Sequence, residues 1–136
     1  MKINTEIITA LNPCEYMLSN YLIYYRDLNG THEDFLWLKE ISHCDKLWVI
    51  LRLMPIFEVE VFAIDCATQA PIVGVYAAAS ATYAGASTSG YSADYTANSA
   101  ATAATAAVYA AASADTERER QVEALIYLIN NSGEII

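Results

Sequence analysis

The densest run of reactive side-chain types in this chain is Ser42-His43-Cys44-Asp45-Lys46. A histidine beside a cysteine can generate a thiolate nucleophile. Neighbouring residues on a helix, however, point about 100° apart, so His43 and Cys44 would not face each other. The run reads better as a helix N-terminus, with Ser42 as cap and Asp45 favoured by the helix dipole. A second set is acidic: Glu58, Glu60 and Asp65, together with Asp45. Gathered in one place they would bind a metal or do acid–base work; the preferred reading is a solvated helix face.

Other chemistry lacks its residues. His32 and His43 are the two histidines, and no H-x-x-x-H, C-x-x-C or H-E-x-x-H spacing occurs, so neither a metal nor a cofactor is expected. Gly30, Gly74, Gly85, Gly90 and Gly133 are too scattered for a phosphate-binding loop, and no G-x-S-x-G elbow exists. The expectation is therefore a protein that is not an enzyme. Its notable asset is aromatic: ten tyrosines, with Trp37 and Trp48. Tyrosine and tryptophan bury much area at binding surfaces at low entropic cost. Tyr24 and Tyr25 are adjacent, so at least one must leave a helix's core face. Tyr24 beside Arg26 is then a candidate contact point, with packing under a neighbouring helix the alternative. The candidate binding surface comprises Tyr24, Arg26, Asp45, Glu58, Glu60, Asp65, Tyr83, Tyr91 and Tyr95.

The elements that must carry these residues are helices. Cys14, Met17, Leu18, Tyr21, Leu22 and Tyr25 follow one helical face after Asn12-Pro13, and Asn29-Gly30 ends that helix. Thr31 with Asp34 caps a short helix bearing Phe35, Leu38 and Ile41. After Ser42, Leu47, Trp48 and Leu51 face inward, and Pro55 closes that helix or opens the next. Ile56–Ala70 is ambiguous, since Val59, Val61 and Phe62 favour strand. Helix is preferred because no second strand-like segment exists to pair with it; Val59, Phe62, Ala63 and Cys66 then share a side.

From Val75 to Ala114, 18 of 40 residues are alanine and Asp94 alone is charged. A disordered tract would be rich in charge or proline. Alanine is the best helix former, so the tract is expected to be ordered helix, in two arms of about 72–84 and 91–114. Tyrosines spaced by seven along it supply bulk on one face. Gly85–Gly90 is the turn of this Ala/Tyr-rich hairpin, with one unbroken helix as the rival. The last helix, 116–130, has a Thr116/Glu119 capping box, an apolar stripe of Val122, Leu125, Ile126 and Ile129, and a wet face of Glu117, Arg118, Glu119, Arg120 and Glu123. The 136 residues thus read as a single all-α domain, a compact bundle of six or seven helices. Amphipathic helices fill 1–70, Ala-rich helices 71–115, and the C-terminal helix 116–130.

Charge narrows the partners. The net charge is −9, from 16 acids against 7 bases, which disfavours direct contact with nucleic acid or an anionic membrane and suits a basic protein. Cys14, Cys44 and Cys66 are odd in number, widely spaced and read as residues of apolar helix faces. They fit a reducing cytoplasm, and the N-terminus does not read as a signal peptide.

Asp45–Pro55 (DKLWVILRLMP), Val61–Ala67 (VFAIDCA), the Ala-rich tract and Arg118–Gln121 (RERQ) together resemble a family of immunity proteins found in bacteria and phages. The resemblance runs from Cys14 to Ile129. It implies an Ala-rich, all-helical fold and a binding role. The chain departs from the family pattern in its short link after Cys66, where Pro71 alone remains of a proline-bearing stretch. Ser, Thr and Tyr also replace charged residues among the alanines. Such a truncated layer would leave an apolar surface for a second subunit to cover. Two functions follow as expectations. One is an acidic, non-enzymatic binding protein that neutralises a basic toxin or host-defence effector by occlusion, of immunity or phage anti-defence type. The alternative is a homo-oligomeric sponge, assembled through the Ala-rich helices, that sequesters a small signalling ligand. For a phosphate-rich ligand its mid-chain anchors would be Lys39, Lys46 and Arg52.

Overall fold

The structure, a computed structural model, describes residues 2–69 and 93–132. In chain order these form β1 (Ile3–Asn4), α1 (Thr5–Ala10), α2 (Glu15–Tyr25), β2 (Asn29–Gly30), α3 (His32–Leu36), α4 (His43–Leu53), α5 (Ile56–Gln69), α6 (Ala93–Ala110) and α7 (Ala114–Ser132). The fold is all-α, a compact bundle of seven helices among the described residues, with one two-residue antiparallel pair.

Local chemistry sets the boundaries. The Asn4 side chain accepts the Ile7 amide at 3.0 Å and starts α1. Asn12 takes a left-handed φ of 57°, a conformation asparagine tolerates, and turns the chain into Pro13. Thr31 and Asp34 form a reciprocal capping box on α3, and Ser42 Oγ accepts the Asp45 amide at 3.1 Å on α4. Pro55 separates α4 from α5, its carbonyl accepting from the Glu58 and Val59 amides. β1 and β2 pair Ile3 with Gly30 and Asn4 with Asn29, which ties the N-terminal segment to the turn after α2. Gly30 must be glycine here: a Cβ would lie 2.9 Å from Asp34 Cβ on α3.

α6 is the inner helix. It packs on α5 and α4, and α7 closes against α5 and α6. Ala97, Ala100, Ala103, Ala104 and Ala107 are fully buried, a stripe at helical spacing whose methyl groups let neighbouring helices approach closely. Volume comes from the facing elements: Phe62 and Val59 on α5, Ile50 and Leu51 on α4, Leu125 and Ile129 on α7. The helical reading of the segment after Pro55 holds, with Val59, Phe62, Ala63 and Cys66 all buried. Described alanine-rich residues are ordered helix. The first arm of the expected hairpin, its Gly85–Gly90 turn, Tyr83 and Tyr91 lie outside the described residues.

Several expectations need correction. The final helix begins at Ala114 and runs to Ser132, because Ser113 rather than Thr116 is its cap; Ser113 Oγ accepts the Thr116 amide at 3.3 Å. The preceding helix ends at Ala110, short of 114. Tyr109 is 87% exposed and adds no bulk to the alanine core, because it lies about 180° around α6 from buried Ala100. Cys14, the cap of α2, and Cys44, in the first turn of α4, are exposed; Cys66 alone of the three is buried. Burial pushes the Cys66 thiol up to about 12. In the native protein a thiol reagent is therefore expected to titrate Cys14 and Cys44 rapidly and Cys66 only on unfolding. Three rapid equivalents would contradict this packing.

Candidate functional site

The polar centre of the molecule lies where α4, α5, α6 and α7 meet. The Arg120 guanidinium grips Glu117 through Nε at 2.7 Å and 2.9 Å and Nη2 at 2.8 Å, and donates from Nη1 to Asp65 at 2.6 Å. Glu117 is 5% exposed, while Arg120 keeps 30% of its side chain in solvent. Gln121, fully buried, donates from Nε2 to the Ala104 carbonyl at 3.0 Å. That bond, with a longer one to Glu117, fixes the amide so that Oε1 faces His43 Nε2 at 2.8 Å. The imidazole therefore donates from Nε2. This network overturns the wet-face reading of Glu117 and Arg120: Asp65 from α5 supplies the extra carboxylate that draws the arginine inward.

His43 is held below its ordinary value, chiefly by burial and further by the Lys46 and Arg118 charges, against the opposing pull of Gln121 and Glu117. Its folded value lies below its unfolded one, so protonation favours the unfolded chain. Stability is complete above about pH 6.5 and declines as pH falls through that value toward the folded one. His43→Gln should flatten this decline in urea melts between about pH 7.5 and about pH 5.5. An unchanged slope would show that His43 is not its source.

Two depressions flank this centre. A groove of about 520 Å³ between α4 and α6 is lined largely by apolar groups of Leu47, Trp48, Ala101, Ala106 and Tyr109, with Asp45 at its edge. On the other side of α4, a pocket of about 450 Å³ lies between the α3–α4 loop and the first turns of α7. Trp37, Lys39, His43, Lys46, Arg118 and Glu119 are among its walls. Arg52, an expected anchor, is engaged elsewhere: it stacks 4.0 Å over Trp48 and donates to Asn98 at 2.8 Å.

The named candidates separate. Tyr25 turns half inward and donates to Glu40, so Tyr24 is the member of the pair that leaves the core, 55% exposed. Arg26 is exposed beside it. Asp45 is on α4, whereas Glu58, Glu60 and Asp65 are half-buried on α5. Among the described residues, no group of three or more potential ligands could hold a metal ion. Tyr95 belongs to α6, with its side chain outside the described residues. Sequence reasoning missed Tyr16 and Ile23, which are 80% and 73% exposed. Seven residues apart on α2, they share its outer face; Tyr24 is exposed on the flank of that face, and exposed Asp27 lies in the turn after the helix. Their signal was present as apolar residues opposite the Met17–Tyr21 stripe. Among the described residues, no helix is long and apolar enough to cross a membrane. No family model, curated protein or solved structure matches the chain.

Proposed function

We propose that this protein is a small, acidic, non-enzymatic binding protein that neutralises a basic toxin or host-defence effector by covering its working surface. The observation that carries the reading is the outer face of α2. Tyr16 and Ile23 stand exposed along it and Tyr24 on its flank, with the exposed acid Glu15 at its start and exposed Asp27 in the turn that follows. Aromatic and aliphatic anchors inside a charged border are the usual anatomy of a protein contact. The net charge of −9 would speed encounter with a cationic, nucleic-acid-binding partner. The resemblance to immunity proteins of bacteria and phages points the same way, and three unpaired cysteines suit action in the cytoplasm.

The test is a titration of the full chain against purified basic nucleases and toxins. At least one should bind, more weakly as salt rises, and the pair Ile23→Glu with Tyr24→Ala should abolish binding. Tyr127→Ala, an exposed tyrosine on α7, should leave it intact. Binding that survives the α2 changes, or that ignores salt, would contradict the proposal. The second reading, capture of a small ligand, has separate support in the basic pocket beside α4.

A further inference from the structure

The pocket between the α3–α4 loop and α7 concentrates positive charge in a chain with little of it. Lys39, Lys46 and Arg118 are three of the seven bases, and they meet around one cavity of about 450 Å³. The acid facing them there is Glu119. Arg118 is paired at 3.0 Å with Asp115, a largely exposed partner. Among the described residues no carboxylate lies within ion-pair distance of Lys39 or Lys46.

Lys46 is half-buried, and desolvation holds its ammonium below its ordinary value. A cation withdrawn from water without a counter-charge is costly, and a bound anion would offset that cost. The same wall holds Ser42, His43 and Cys44, the start of α4, so the partial positive charge of that helix end adds to the field. Trp37 completes the site. Trp37 is 46% exposed and lines the pocket, and an indole there is a stacking partner for a planar ring. The volume falls in the range of small-molecule sites, about 300–1,000 Å³.

We infer that this pocket binds a small phosphorylated molecule bearing a planar ring, of the nucleoside-monophosphate class. Lys39, Lys46 and Arg118 hold the phosphate, and Trp37 stacks on the ring. The inference is independent of the α2 face and survives if that face binds nothing.

The experiment is calorimetric titration of the full chain with adenosine monophosphate, adenosine and inorganic phosphate. Adenosine monophosphate should bind more tightly than either fragment. Lys46→Gln and Arg118→Gln should each weaken it by about tenfold, the loss of one charge-assisted contact. Trp37→Ala should erase the advantage over inorganic phosphate. Lys2→Gln, at an exposed base outside the pocket, should change nothing. Lys46→Gln removes a desolvated charge, so its melting temperature should not fall, which separates lost binding from lost folding. Absence of binding at millimolar ligand, equal affinity for phosphate and the nucleotide, or unchanged affinity in Lys46→Gln would each overturn the assignment.

Discussion

Arg120→Met is expected to lower the unfolding free energy by about 3 kcal/mol, the low end of what breaking a buried ion pair costs. The low end applies because Arg120 retains 30% side-chain exposure and Asp65 retains 40%. The loss does not come mainly from Arg120's own bonds. Glu117 would be left 5% exposed, with its bidentate partner gone and a long contact to Gln121 in its place. Methionine fills much of the arginine's volume, so cavity formation contributes little. Glu117→Gln should cost less, since Arg120 would keep Asp65 and its access to water. Chemical denaturation of both variants distinguishes the cases. Equal losses would mean that the arginine's packing matters and the stranded carboxylate does not.

Ala100→Leu is the second large effect, expected at roughly 2 kcal/mol or more of destabilisation through overpacking. Leucine nearly matches alanine in helix propensity, so the local helix is not the cause. Ala100 is fully buried on the face of α6 that packs against α4 and α5. Three added carbons there must push helices apart or force side chains off their rotamers. Ala110→Leu, at the exposed end of the same helix, should be nearly neutral. A thermal melt of the pair reads the difference. If Ala100→Leu were neutral too, the alanine stripe would not be the close-packed seam of the bundle.

The helical class and most helix starts were legible because capping chemistry is local, whereas Asn29-Gly30, read as the end of α2, lies beyond its last residue Tyr25 and pairs with β1. Thr31, Ser42 and Pro55 mark their boundaries whatever the rest of the chain does. The segment after Pro55 was legible by exclusion, its β-branched residues having no second strand to pair with. The core network was not legible. Glu117 and Arg120 look like surface residues three apart on a charged helix, and only Asp65, 55 positions upstream of Arg120, draws them in. Seventy-odd residues likewise separate Lys39 and Lys46 from Arg118, so a basic pocket in an acidic chain leaves no local trace. The exposed α2 residues were visible as apolar positions, but which helix face another element would cover is a property of the assembled bundle.

The alanine-rich helix is a buried structural layer that positions α4, α5 and α7 around it. Amide hydrogen exchange of the full chain tests this most directly. Amides of α6 from Ala97 to Ala107 should exchange only through global opening, at the same free energy as the core of α5. Exchange of that stretch at the rate of an unstructured peptide, while α5 stays protected, would contradict it.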